Sequence, residues 1–263
     1  MMRFLVLASG SGGNATYLEI GQKKILIDAG ISYRQIQSRA GQVGVSIKDI
    51  DDIFLTHEHG DHTSGLVTIQ RRTGAKVHMT GGTYKNLSPR LRDNIDPNFV
   101  HLLEYQTPLI LDGYGVTPFM TYHDALEPCG YRFMEQGKSL VYLTDTGYYP
   151  QKTFDAIRNA DAYIIESNHE PSLLLDSDRP WLLKKRILDD QGHLSNDDSA
   201  YLIANVLGEK TKVIVLAHLS QECNTEADAL RSYHEVFDRE GLVMDQFQLV
   251  CARQDDPLAL FEI

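Results

Sequence analysis

The chain has 263 residues, 42% of them apolar, and a formal net charge of −11 at pH 7. Such a composition predicts a folded protein with a sizeable core. No uninterrupted apolar run reaches the roughly 18 residues a membrane span needs. The acidic balance argues against a broad basic surface for nucleic acid, and the small basic clusters Arg71-Arg72, Arg90-Leu91-Arg92 and Lys184-Lys185-Arg186 each read first as solvated faces. Three scattered cysteines, Cys129, Cys223 and Cys251, have neither disulfide-framework nor metal-finger spacing and predict a reducing, cytoplasmic setting.

Taken in order, apolar alternation predicts strands over 3–8, 15–20 and 23–28, the last two joined by the Gly21-Gln22 turn. The apolar N-terminus runs straight into a Gly/Ser loop, so it reads as a first core strand rather than a signal peptide. A helix over 32–40, a strand over 52–56 and a helix over 63–73 follow, then a short strand at 76–79 and the start of a helix at 83–87. The middle is strand-rich, over 101–103, 109–111, 116–121, 130–135 and 139–144. Helix 154–159, strand 162–166, helix 196–207, strand 212–216, helix 225–238 and strand 247–251 complete the chain. No linker or repeat divides it. The pattern predicts a single α/β domain over 1–263, an αββα sandwich of two mixed sheets packed face to face with helices outside.

The densest chemistry lies in His57-Glu58-His59-Gly60-Asp61-His62, directly after Ile53-Phe54-Leu55-Thr56. Three imidazoles and a carboxylate within six positions gain little from crowding unless a cation binds them, and these donors suit zinc, manganese or iron. His57 and His59, two apart on extended chain, can chelate one ion; Asp61 and His62, beyond the Gly60 turn, are placed for a second. Three further donors end apolar strands: His123, Asp145 and His218. A carboxylate at Asp145 can bridge two ions. Asp28 ends another strand and is expected behind the ligands, fixing an imidazole tautomer. His78, His101 and His234 have no such context and read as surface or core.

In order, Asp28-Ala29-Gly30, the run 56–62, His123, Leu143-Thr144-Asp145-Thr146 and Leu216-Ala217-His218-Leu219-Ser220 resemble the motifs of the metallo-β-lactamase fold superfamily. The resemblance spans 28–220 and implies the αββα sandwich with a dinuclear metal site at one edge of the sheets. That superfamily holds lactamases, thioesterases, phosphodiesterases and nucleases, so other residues must discriminate. His193, just before a helix start, and Glu166, at a strand end, look like a general acid and its orienter, and they are similar to the pair found in the phosphodiesterase branch.

The loop Ser9-Gly10-Ser11-Gly12-Gly13-Asn14, the segment Glu166-Ser167-Asn168-His169, the stretch 180–187 and Gly192-His193-Leu194-Ser195-Asn196 together resemble the WalJ/YycJ/VicX family. This implies a cytoplasmic 5′→3′ exonuclease on DNA. Its two divalent ions, zinc or manganese with iron also compatible, would hold the attacking hydroxide, positioned by Asp61. Ser9, Ser11 and Asn14, from a loop able to cradle phosphate, and His169 are the candidate substrate contacts. The nearest alternatives are a cyclic-phosphate phosphodiesterase and a non-catalytic metal-binding regulator in a signalling complex. No membrane partner is expected, and a homo-oligomer is compatible with every reading.

Overall fold

A computed structural model describes residues 1–263. The chain opens with β1 (Met2–Ala8), β2 (Ala15–Ile20), β3 (Lys23–Ile27) and α1 (Tyr33–Gln42). β4 (Asp52–Phe54) leads into α2 (Gly60–Thr63), α3 (Leu66–Thr73), β5 (Lys76–Thr80), α4 (Gly81–Asn86) and α5 (Pro89–Arg92). Strands β6 (Val100–Leu103), β7 (Leu109–Leu111), β8 (Tyr114–Met120), β9 (Cys129–Glu135) and β10 (Lys138–Leu143) follow. Then come β11 (Ala162–Glu166), α6 (Pro171–Asp176), α7 (Trp181–Leu188), α8 (Asn196–Val206), β12 (Val213–Ala217), α9 (Glu226–Glu240), β13 (Gln248–Cys251) and β14 (Phe261–Glu262). The strands are distributed over two mixed seven-stranded sheets, as the α/β expectation required. No helix is long and apolar enough to cross a membrane.

Contacts gather into two compact units. The first comprises Met1–Met120, Ala125–Gly137 and Arg253–Ile263. Its sheet runs β14-β1-β2-β3-β4-β5-β6, antiparallel through β3 and parallel from β3 to β6. Strands β7, β8 and β9 pair antiparallel with one another in the other seven-stranded sheet. Leu5, Leu7, Tyr17, Leu26, Ile53 and Val77 meet Ile36 and Ala40 of α1 and Leu66 and Ile69 of α3 in one core. The three- and four-residue spacing of those helical residues puts them on one apolar stripe. Each large side chain removed from water contributes roughly 1.5–3 kcal/mol.

The second unit comprises Thr121–Asp124 and Lys138–Ala252. Its strands β10, β11, β12 and β13 form a parallel ladder in that order. Every residue of β11 and β12 is buried, which explains why both read as unbroken apolar runs rather than alternating ones. The register pairs Leu143 with Ile165, Ile165 with Leu216 and Glu166 with Ala217. Residues just past these positions therefore emerge together at the carboxyl end of the ladder, where open α/β sheets bind ligands.

Several local expectations differ from the structure. The helix expected over 154–159 is a 3₁₀ turn, Gln151–Ala156, capped by Ile157, with Asn159 beyond it in the left-handed conformation. The helix expected over 63–73 is two helices, because the Gly65 N–H bonds the Ala29 carbonyl (2.8 Å) in continuation of β3 instead of its own helix. Helices α6 and α7 were not anticipated. α6 is six residues behind a proline, and α7, Trp-Leu-Leu-Lys-Lys-Arg-Ile-Leu, has no apolar repeat of helical period.

Candidate active site and metal centre

In the first unit β3 and β4 run parallel with Ile27 opposite Phe54, so Asp28 and Thr56 leave the sheet side by side. Asp28 has φ 60°, a left-handed backbone that few residues other than Gly, Asn, Asp and His accept. Its fully buried carboxylate accepts from the Thr56 N–H (2.9 Å) and lies 2.8 Å from His62 Nδ1. That contact places the proton on Nδ1 and leaves Nε2 as the lone-pair nitrogen, the tautomer a metal ligand needs. His57 Nδ1 rests 3.0 Å from Thr56 Oγ1, and its ring stands 4.6 Å from that of His59 and 4.1 Å from that of His62. Asp61 Oδ2 is 3.5 Å from His62 Nε2. Glu58, the remaining polar residue of the run, is a brace: its Oε1 accepts from Asn86 Nδ2 (2.7 Å) and the Leu126 N–H (2.8 Å).

The loop over 9–14 docks directly on this cluster. Asn14 accepts from the Gly10 N–H at Oδ1 (2.9 Å), which settles its amide orientation and puts Nδ2 3.0 Å from His62 Nε2. Four more of the loop's amides are committed. Ser9 N–H bonds Arg253 O, Gly12 N–H bonds Gln254 Oε1, Gly13 N–H bonds Gly10 O and Asn14 N–H bonds Asp61 O. A phosphate cradle made of backbone N–H groups would need those donors. The exposed Ser11 is what the loop presents to solvent; Ser9 and Asn14 are buried.

The second unit holds the other candidates at the ends of β10, β11 and β12. Asp145 (φ 58°) and His218 (φ 56°) share the left-handed conformation of Asp28. Glu166, with no exposed surface, joins them: its Oε1 accepts from His193 Nδ1 (2.7 Å) and His218 Nδ1 (3.0 Å), and its Oε2 accepts from the Thr146 N–H (2.8 Å). Burial alone would push the Glu166 carboxyl up. The His193 charge and hydrogen bonds from both imidazoles outweigh it and hold the group well below the usual carboxylate range. Asp145 Oδ1 lies 3.9 Å from His123 Nε2, 3.8 Å from His193 Nδ1 and 3.6 Å from His218 Nδ1. His123 donates from Nδ1 to the Gly192 carbonyl (3.1 Å), and burial lowers its pKa despite the nearby Asp145. The His193 side chain keeps 17% of its surface exposed, against 3% for His218.

Sequence reasoning paired Glu166 with His193 and missed its second partner, His218. It also missed Asn168, whose Nδ2 donates to the His218 carbonyl (2.8 Å), and a buried reciprocal amide pair, Asn196 with Asn224, that holds this segment through the Ser167 and Asn168 carbonyls. The signal available was three asparagines beside motif residues, which is too common a pattern to decide anything. His169 is 1% exposed, and burial pushes its pKa down to about 4. His78 is buried 2.7 Å from Asp52, a satisfied core histidine.

The donor chemistry fits a divalent cation. Asp145, Glu166, His193 and His218 offer N and O atoms within 4.8 Å of one another. His62, His123 and His218 each set Nδ1 against an oxygen acceptor, the orientation of an imidazole that ligates through Nε2, and at His62 that nitrogen also meets the Asn14 amide. A beta-lactamase superfamily domain model matches residues 23–218. The chain is 39% identical over 223 residues to exodeoxyribonuclease WalJ of Streptococcus pneumoniae, covering 84% of this chain and 83% of that protein. The chain belongs to the metallo-β-lactamase-fold hydrolases of the WalJ/YycJ family. Exodeoxyribonuclease YycJ of Bacillus anthracis is 36% identical over 240 residues, covering 91% of this chain and 90% of that one. The fold is also that of the metallo-beta-lactamase fold protein YhfI from Bacillus subtilis, with a TM-score of 0.73 at 15% identity and 98% of each chain covered. The WalJ/YycJ membership makes this an enzyme that uses divalent metal.

Proposed function

We propose that this protein is a metal-dependent exodeoxyribonuclease that hydrolyses phosphodiester bonds from a DNA end in the 5′→3′ direction. Two divalent ions, zinc or manganese, would be held, with His57, His59, Asp61 and His62 as the donors of the first unit and His123, Asp145 and His218 as those of the second. Bound there, they would supply Lewis acidity and lower the pKa of water. The observation that carries the reading is the single Glu166 oxygen that accepts from both His193 and His218. It ties a partly exposed acid–base candidate to a strand-end metal ligand through one buried carboxylate.

Glu166 holds the His193 Nδ1–H in a hydrogen bond and so fixes the orientation of the ring. His193 then gives its Nε2 proton to the leaving oxygen as the P–O bond breaks. Asp61, whose side chain is 26% exposed, orients the attacking water, and the Ser11 hydroxyl is the loop's contact to substrate. Three buried free cysteines support a cytoplasmic setting.

His193→Ala should leave metal content normal while turnover on DNA falls about 10²–10⁴-fold, the range for losing a general acid. Unchanged turnover would remove His193 from the mechanism. A second expected result concerns the reaction itself. End-labelled DNA should be shortened from its 5′ end with zinc or manganese present, and a chelator should stop it. If the DNA stays intact while a cyclic nucleotide is hydrolysed, the cyclic-phosphate alternative replaces this reading.

A further inference from the structure

The second unit contains a cleft of about 340 Å³ whose lining includes Tyr148, Tyr149, Phe154, Tyr201, Asp190 and Asp198, together with Asn205. This volume lies at the low end of small-molecule sites, sized for one nucleoside and too small for a duplex. Two of its walls hang from the catalytic carboxylate. Gly147 follows Thr146, whose N–H bonds Glu166 Oε2 at 2.8 Å, and Leu194 follows His193 and directs its own N–H to the same oxygen at 3.4 Å.

The aromatic side chains are arranged as faces. Tyr149 and Phe154 are buried against each other, ring centroids 6.3 Å apart and planes 3° from parallel, and back the more exposed Tyr148 and Tyr201. The Tyr201 ring is held by Arg239, whose guanidinium lies 5.8 Å from its centroid and also bonds its hydroxyl. Tyr148 is 49% exposed and stands edge-on to Tyr122, the residue before His123, at 6.1 Å. Aromatic faces of this kind take bases, since every nucleobase has a π-face.

No lysine or arginine lines the cleft, and Asp190 and Asp198 oppose a phosphate there. The neutral end of a nucleotide suits it, and the carboxylates are acceptors for amino groups. We propose that this cleft binds the nucleobase adjoining the scissile phosphate and prefers bases with an exocyclic amino group. The assignment rests on the phosphodiesterase reading above and names where its substrate's base goes.

The test is direct binding to the metal-loaded protein by titration calorimetry, with dAMP, dTMP and the base-less 2-deoxyribose 5-phosphate as probes. dAMP should bind at least tenfold more tightly than the sugar phosphate and more tightly than dTMP. Tyr148→Ala and Asn205→Ala should each cut the dAMP advantage over the sugar phosphate to about twofold, and Tyr148→Phe should restore most of it. Equal affinity for dAMP and the sugar phosphate, or an advantage that survives both alanine variants, overturns the proposal. Equal affinity for dAMP and dTMP overturns the amino-group preference. Hydrolysis of bis(p-nitrophenyl) phosphate by the wild-type protein reads the phosphodiesterase function separately, because that substrate has no base.

Discussion

Glu166→Gln should lower kcat/KM on a DNA end by about 10³-fold or more and weaken metal binding by roughly 10–100-fold in the same protein. The carboxylate receives the Nδ1–H groups of His193 and His218 on one oxygen and the Thr146 and Leu194 N–H groups on the other. A glutamine keeps the shape and loses half of that capacity. Whichever way its amide turns, an NH₂ faces another donor inside a site with no exposed surface. The negative charge beside both imidazoles disappears as well.

This double effect separates the variant from His193→Ala, which should spare the metal. Steady-state kinetics with metal content measured on the same preparations would read both. In a His193→Ala background, Glu166→Gln should still weaken metal binding, because the His218 contact is independent of His193. A Glu166→Gln protein with wild-type metal content and turnover would show that the carboxylate is only a structural partner.

The largest effect on stability is expected from Gly30→Ala. Gly30 is not in a left-handed conformation; its constraint is space. A Cβ there would sit 1.6 Å from the Asp61 carbonyl oxygen and 2.5 Å from the Asn14 amide nitrogen, both backbone atoms. Those segments are joined by backbone hydrogen bonds from Asn14 to Asp61 (2.7 Å), from Gly30 to Asn14 (2.8 Å) and from Ala29 to His62 (2.8 Å). The methyl group can enter only by forcing apart the loop over 9–14, the turn after Asp28 and the loop that carries His57 to His62. The cost should reach about 4 kcal/mol or more, a fall in Tm of about 10 °C or more. Thermal melts would show it, accompanied by loss of bound metal. A Gly30→Ala variant that melts with the wild type would mean that these segments are not held together as the structure has them.

Much of this architecture is legible along the chain because it is local. The run of apolar residues in β10, β11 and β12 marks strands covered on both faces. A polar residue directly after such a run, as at Asp28, Asp145 and His218, marks a carboxyl-terminal strand end. The Ser195 cap of α8 places His193 just before the helix, as its sequence context predicts. Helices without periodicity left no such mark. α7 exposes Trp181 and Leu182 while burying Ile187 and the stem of Lys184, so its apolar positions follow no simple stripe.

Some partnerships across long separations, Glu166 with His193 among them, were legible from motif context; others were not. Glu166 and His218 are 52 residues apart, and Asn14 and His62 are 48. Asn14 looked like a substrate contact because it closes a Gly/Ser loop, but the fold turns its amide inward onto an imidazole and uses the loop's own N–H groups for docking.

The sequence by itself determined the family, the metal-binding chemistry and the strand ends that carry it, because donor type and local periodicity are properties of neighbouring residues. Only the tertiary structure decided which ring nitrogen of His62, His193 and His218 faces a carboxylate, that one carboxylate serves two imidazoles, and that aromatic rings beside it form a cleft. These depend on the register of parallel strands and on the left-handed turns at their ends, which bring together atoms that no spacing rule connects.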